Sequence, residues 1–255
     1  MYCCINKIID YKLMAKDGEF GKCDDFLFED RPWIVRYMVA GTGGFLNRRK
    51  VLIPLMEIEK PDRSARLFHV DLTKEQIEES PPLSEDEPVS RQYERISCLY
   101  FGWPAHWAGD DLENTISTPS GVFREPGNAK DRGEKESSLR SVKEVTVYHV
   151  EGSKGKVGEV SDFIVDDNIW TIRYLVVDIQ SGVKDKKVLL APDWVNTVDW
   201  LNRVVNVDLS VDGIENCPEF NPEEPFGPDL DSMVSRSNWA NEYIRNIENN
   251  SNVTN

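Results

Sequence analysis

Histidine and cysteine are scarce in this chain, and neither follows a metal-binding pattern. The three histidines are His69, His106 and His149, and the five cysteines are Cys3, Cys4, Cys23, Cys98 and Cys217. The odd number and irregular spacing of the cysteines argue against a patterned disulfide framework, and no Cys-x-x-Cys pair supports a zinc site. We therefore predict free thiols in a reducing compartment and no bound metal.

Long apolar runs are missing as well. No segment approaches the roughly 18 consecutive apolar residues of a membrane-spanning helix. The first residues, 1–7, contain no apolar stretch of the kind found in signal peptides. The prediction is a cytoplasmic protein with no integral membrane segment.

Sequence motifs of common enzyme classes are absent too. The chain has no Gly-x-Ser-x-Gly nucleophile elbow. Its most glycine-rich run, 41–44, lacks the Gly-Lys-Ser/Thr ending of a phosphate-binding loop, so we predict a hairpin connection there. We predict no catalytic residues and no cofactor.

Positive charge is in deficit. The chain carries 30 Lys and Arg against 45 Asp and Glu, for a formal net charge of −15. An acidic surface repels phosphate, which disfavours binding to nucleic acid and to anionic membranes. The simpler interpretation, that the charge keeps the protein soluble, is favoured over a special role.

What the chain does contain is one segment present twice. Residues 10–88 align without gaps on residues 147–225, an offset of 137, with 23 identities in 79 positions. Because a repeat defines the folding unit before any secondary structure is assigned, it predicts two similar units. No reactive set of residues occurs in both copies, which argues against a duplicated active site.

The repeat has the pattern of short β-strands. Alternating aromatic and β-branched residues predict strands at 21–28, 33–40, 51–55 and 66–72, and at the matching positions of the second copy. Trp33 and Trp170 fall on apolar faces and are predicted to be buried. Thr73 and Gln76 have capping-box spacing, which predicts a helical turn after the last strand, and Ser210 keeps the cap in the second copy.

Composition divides the rest of the chain. Residues 108–138 combine Gly, Ser, Thr and Pro with many charges, as in a flexible polar linker. We predict a first repeat with an aromatic extension at 1–107, that linker, a second repeat at 139–230 and a polar tail at 231–255. In the tail, Trp239, Tyr243 and Ile247 are spaced by four, a spacing that suits one weak amphipathic helix.

Two charged positions are repeated within apolar surroundings: Asp25 matches Asp162, and Arg36 matches Arg173. A repeated Asp–Arg pair could serve catalysis. However, charges in apolar surroundings are usually paired for structural reasons. The favoured interpretation is an ion pair or a turn hydrogen bond that sets strand register.

The densest aromatic cluster outside the repeats follows the first one. Its members are Tyr100, Phe101, Trp103 and Trp107. Aromatic side chains on a loop can anchor a protein partner, which makes these four the candidate partner-binding residues. They can equally fold back over the first repeat, and that interpretation is favoured.

The motifs of the second copy resemble a known family. Within 155–192 the chain contains Gly-Lys-Val-Gly-Glu-Val, then Asp-Phe-Ile-Val-Asp-Asp, then Trp-Thr-Ile-Arg-Tyr-Leu-Val-Val-Asp, and finally Lys-Val-Leu-Leu-Ala-Pro. This series resembles the PRC-barrel domain, named after the cytoplasmic barrel of the photosynthetic reaction-centre H subunit. The first copy departs at Glu57 and Arg63, where the second has Trp194 and Trp200.

The resemblance implies small, mostly β barrels that mainly support contacts with other proteins, although a fold alone does not fix a function. We therefore predict a mainly β protein with two tandem small barrels, short helical turns and a polar linker, acting as a non-enzymatic adaptor or scaffold for protein partners. Two hypotheses stay open beside it. One is an accessory protein of photosynthetic electron or proton transfer, and the other is a small-ligand-binding protein or hydrolase.

Overall fold

The computed structural model describes residues 1–42, 49–83, 91–103, 139–153, 155–181, 184–224 and 226, which fold mainly as β-structure. The strands are β1 Tyr2–Cys4, β2 Lys12–Ala15, β3 Gly18–Glu29, β4 Ile34–Thr42, β5 Arg49–Pro54, β6 Leu67–His69, β7 Leu139–Ser141, β8 His149–Gly152, β9 Gly155–Asp166, β10 Thr171–Ser181, β11 Lys184–Leu190, β12 Val195–Asp199 and β13 Val204–Val207. The helices are α1 Lys74–Glu78, α2 Arg91–Phe101, α3 Val142–Val145 and α4 Val211–Glu215. All of the predicted tail, with its predicted weak helix, and the predicted linker lie outside these residues.

All the described strands belong to one open, mixed sheet. Its main path runs β12-β13-β8-β9-β10-β4-β3-β2-β6, with β1, β5, β7 and β11 paired beside it. The β2–β6 and β8–β13 pairs are parallel, and the other pairs are antiparallel. The predicted pair of closed barrels is not confirmed, because β4 pairs with β10 and joins both repeats in one sheet that does not close within the described residues.

Most of the strands occur twice, again 137 residues apart, while β12 and α2 have no counterpart among the described elements of the other half. The described parts of 1–103 and 139–226 are called the first half and the second half. The matching strands β3 and β9 both have 12 residues. The predicted helical turn is confirmed in both halves: Thr73 and Gln76 form a capping box at α1, and the side chain of Ser210 accepts a hydrogen bond from the Gly213 backbone at 3.0 Å.

In each half, one glycine of the repeat lies where two strands come unusually close together. A Cβ atom at Gly21 would overlap the carbonyl oxygen of Gly41, and one at Gly158 would overlap that of Asp178. Only a residue without a side chain fits where two backbones come this close. Farther along β4, Thr42 lies opposite Arg49 of β5, so the hairpin predicted around the 41–44 run is confirmed, although its connection lies outside the described residues.

Trp33 and Trp170 are buried, as predicted, with 8% and 9% of their surface exposed. They do not lie inside the strands, however. Each has a left-handed backbone, with φ of 65° and 51°, and immediately precedes β4 or β10. The two residues therefore form corners at which the chain enters the central strands.

These corners join the two halves. The backbone of Val35 donates to the carbonyl of Trp170 at 2.8 Å, and that of Ile172 donates to the carbonyl of Trp33 at 2.8 Å. The ring of Trp170 stacks on Phe26 with centroids 5.5 Å apart. One hydrophobic core runs through both halves as a result, with a smaller cluster on the outer face of the first half. No helix within the described residues is long and apolar enough to cross a membrane.

Candidate interaction surface

Helix α2 lies on the outer face of the first half. The sheet there carries the smaller hydrophobic cluster, to which β3, β4, β5 and β7 contribute Leu27, Tyr37, Val39, Leu52 and Leu139. Tyr93 of α2 packs against this cluster and donates its hydroxyl hydrogen to the carbonyl of Pro81 at 2.6 Å. The hydroxyl of Tyr37 lies 4.0 Å from the sulfur of Cys98 in α2. The helix is therefore fixed to the sheet at both ends of its buried face.

The burial of α2 is the reverse of what its residue types suggest. Glu94 is fully buried and Ser97 is 2% exposed, whereas Ile96, Leu99 and Tyr100 are 47%, 66% and 41% exposed. Residues three and four apart lie on one side of a helix, so the last three form a single outward apolar surface. We call Ile96, Leu99 and Tyr100 the α2 face. Full burial of such a side chain would stabilise the protein by about 1.5–3 kcal/mol, and the exposed residues do not gain this free energy.

The other predicted partner-binding residues have different positions. The rings of Phe101 and Trp103 stack with centroids 3.9 Å apart and pack, partly buried, against the main core. The indole nitrogen of Trp103 donates to a carboxylate oxygen of Glu57 at 2.9 Å. These two residues therefore fold back onto the first half, while Tyr100 faces outward and Trp107 lies outside the described residues.

Acidic residues lie next to the α2 face. The hydroxyl of Tyr100 donates to the carbonyl of Gln76 in α1 at 3.3 Å, so the two helices are in contact. Glu75 and Glu79, beside Gln76, are exposed. Burial raises the pKa of the Tyr100 hydroxyl, and the carboxylates of Glu79 and Glu75 act in the same direction. The apolar face thus has a negative rim on its α1 side.

The repeated aspartates hold segments of the opposite half. Asp25 accepts a hydrogen bond from the Ser141 hydroxyl at 2.5 Å, and Asp162 accepts one from the Asn6 backbone at 3.1 Å. Burial raises the pKa of both carboxyl groups. Arg36 pairs with Glu29 at 2.6 Å rather than with a repeated aspartate. The predicted pairing of Asp25 with Arg36 is therefore wrong, and the two aspartates instead hydrogen-bond to segments of the opposite half.

In the described part of the chain, the other chemically reactive side chains are dispersed or buried. All five cysteines are buried and free, and burial raises the pKa of Cys3 to about 11 and of Cys217 to about 12. Such thiols stay protonated at neutral pH and are poor nucleophiles. Within the described ranges, no group of three His, Cys, Asp or Glu side chains is arranged to hold a metal ion.

An open cleft of about 460 Å³ lies along β2 of the first half. It is lined by Met14, Ala15, Lys16, Gly18, Glu59, His69, Val70 and Asp71. Lys16 and Asp71 form an ion pair at 2.7 Å, and both side chains are more than half exposed. Because Lys16, Glu59, His69 and Asp71 make half of the lining ionisable, the cleft lacks the predominantly apolar wall of a typical small-ligand site.

Comparison with known proteins returns no match: no protein-family model fits the chain, and no curated protein is similar enough to count as a relative.

The α2 face was only partly foreseen from the sequence. Tyr100 was among the candidate residues, but Ile96 and Leu99 were not, because no local pattern shows which side of a helix meets the sheet. Their spacing with Tyr100 would ordinarily indicate a buried stripe.

Proposed function

We propose that this protein is a non-enzymatic adaptor that binds a protein partner through the α2 face. The observation that carries the proposal is the orientation of α2, with Ile96, Leu99 and Tyr100 outward and Glu94 inward. Clusters of exposed apolar side chains mark interaction sites more often than isolated ones do. Aromatic anchors within a polar rim are typical of the residues that dominate binding energy.

The surrounding charge supports a particular kind of partner. Glu75 and Glu79 lie on the rim, and the whole chain carries a net charge of −15. Complementary charge speeds association and selects partners. A partner with apolar side chains flanked by Lys or Arg would therefore fit best.

The resemblance to PRC-barrel domains supports the same conclusion, since those domains mainly mediate protein contacts. We propose that the two halves are PRC-type units joined in one sheet and that the protein acts in the cytoplasm.

The test compares two leucines of equal chemistry. Leu99 is 66% exposed on the α2 face, and Leu201 is 96% exposed in the second half. Leu99→Asp should abolish capture of the partner from native lysate, because it places a charge among the apolar anchors. Leu201→Asp is the matched control and should leave capture unchanged. Both variants should keep the wild-type unfolding free energy within about 0.5 kcal/mol, as surface substitutions usually do.

Quantitative mass spectrometry of the captured proteins decides the outcome. Proteins held by the wild type and by Leu201→Asp, but lost with Leu99→Asp, support the α2 face as the binding site. The same captured proteins with all three chains would show that partners do not bind there.

A further inference from the structure

Each half completes the sheet of the other with a short leading segment. β1 pairs antiparallel with β9, with Tyr2 opposite Asp166. β7 pairs antiparallel with β3, with Leu139 opposite Glu29. The two pairings are equivalent in the repeat, because Tyr2 corresponds to Leu139 and Asp166 corresponds to Glu29 at the offset of 137. We call residues 2–8 and 139–145 the first and second arms.

A buried aspartate anchors each arm in the same way. Asp162 accepts from the backbone of Asn6 in the first arm at 3.1 Å, and Asp25 accepts from the backbone of Lys143 in the second arm at 3.2 Å. Lys143 is Asn6 shifted by 137. The hydroxyl of Ser141 adds a further hydrogen bond to Asp25. This equivalence explains why an aspartate occurs at both positions.

The apolar side chains of the arms are also equivalent. Ile5 and Ile8 follow β1 and are at most 1% exposed, and Val142 and Val145 follow β7 and are fully buried. All four belong to the shared core. An arm therefore buries two aliphatic side chains, and burial of each contributes about 1.5–3 kcal/mol. Each half would lose this packing if its neighbour left.

The centre of the interface has the same reciprocity. The backbone of Val35 donates to Trp170, and the backbone of Ile172 donates to Trp33. These two hydrogen bonds are equivalent, because Ile172 corresponds to Val35 and Trp170 to Trp33 in the repeat. An interface in which each contact has a reverse partner is isologous, like the interface of a twofold symmetric dimer. The two halves of one chain thus contact each other as the two subunits of such a dimer would.

We propose that this arm-exchange interface is also an assembly site for a second copy of the chain. The first half of one molecule would pair with the second half of another, and each arm would cross between chains. The described contacts between halves are non-covalent, and residues 102–138 connect α2 to β7. Exchange of identical elements between protomers is a low-cost route to dimers because no new contact is needed.

The connection decides which form dominates. A covalent tether gives the second half an effective concentration on the order of mM near the first half. Dilute protein should therefore close on itself as a monomer. Chains that open and close again at a concentration near that value should form exchanged dimers.

The experiment uses the full chain with a protease site inserted between residues 127 and 128. One preparation carries an affinity tag at its C terminus, and the other is untagged and isotopically labelled. The two are unfolded together in denaturant, refolded at high concentration, cut and captured by the tag. Mass spectrometry then measures what fraction of the first halves bound to tagged second halves carries the label.

Three results support the proposal together. Before cutting, light scattering should show a species with twice the 29.2 kDa mass of one chain. After cutting, about half of the captured first halves should carry the label, as random pairing requires. Preparations refolded separately and mixed only before cutting should yield few labelled pairs.

Variants tie the result to the arms. Asp162→Ala removes the acceptor of the first arm. Ser141→Ala leaves Asp25 in place but removes both the hydrogen bond to Asp25 and the α3 cap, in which the Ser141 hydroxyl accepts from the Glu144 backbone. Each variant should weaken the association of the cut halves by roughly tenfold or more, since losing one buried hydrogen bond usually has about a tenfold effect. Ser153→Ala, at an exposed site away from both arms, is the control and should have no effect.

Two outcomes would overturn the proposal. Wild-type halves that separate as soon as the connection is cut would show that the arms do not hold them. Halves that stay together but never carry the label after refolding together would show that pairing is confined to one chain.

Discussion

Replacing Trp170 with Ala should strongly destabilise the whole protein. Its indole is 9% exposed, stacks on Phe26 of the other half with centroids 5.5 Å apart and lies 6.4 Å from the ring of Phe68. Truncating a buried tryptophan leaves a cavity and usually costs about 3–5 kcal/mol. Total stability of a typical domain is only about 5–15 kcal/mol, so this one change should remove a large part of it.

Urea denaturation monitored by circular dichroism measures the effect. With a slope of about 1–3 kcal/mol per M, the midpoint should fall by more than about 1 M. Because Trp170 contacts the first half, we expect one cooperative transition that shifts as a whole. Leu201→Ala, at a site 96% exposed, is the control and should leave the midpoint in place. A loss below about 1 kcal/mol for Trp170→Ala, the average for any substitution, would contradict its place in a shared core.

Three further predictions follow from burial and close packing. Gly158→Ala should destabilise the protein by about 1–3 kcal/mol in urea denaturation, because its Cβ would overlap the Asp178 carbonyl; wild-type stability would contradict that packing. Burial raises the pKa of Asp25 above 3.8, so the folded chain binds this proton more tightly than the unfolded chain. The wild type should lose stability relative to Asp25→Asn as the pH rises from 3.8 toward neutrality, and an opposite slope in denaturation at several pH values would refute the shift. All five cysteines should resist alkylation in the native protein at pH 7 and react in denaturant, since burial keeps the thiols inaccessible and protonated; rapid native modification seen by mass spectrometry would place a thiol at the surface.

Several local features could be predicted because they depend on neighbouring residues. The Thr73 capping box needs only Gln76 three positions later, and the sequence contains both. Burial of Trp33 and Trp170 followed from apolar surroundings present in two copies. Their left-handed backbones could not be foreseen, since aromatic residues seldom adopt that conformation and no glycine marks the corners.

The exchange of arms could not be predicted from sequence. Which edge a short strand joins is a long-range choice that its own residues do not encode. The two arms share no identical residue: Cys4, for example, matches Ser141. Only matched apolar pairs such as Ile5 with Val142 extend the repeat upstream of its first identity, Tyr11. One open sheet, rather than two closed barrels, follows from this exchange and from the contact between β4 and β10.

The arm exchange and the α2 face are physically linked. Leu139 begins the second arm, is 4% exposed and belongs to the cluster on which Tyr93 of α2 packs. Part of the support of α2 in the first half therefore comes from the second half. Withdrawing the arm would open a gap beneath the helix and loosen the side that buries Glu94. We therefore expect the proposed partner of Ile96, Leu99 and Tyr100 to bind only when the two halves are joined, whether within one chain or, as proposed, between two.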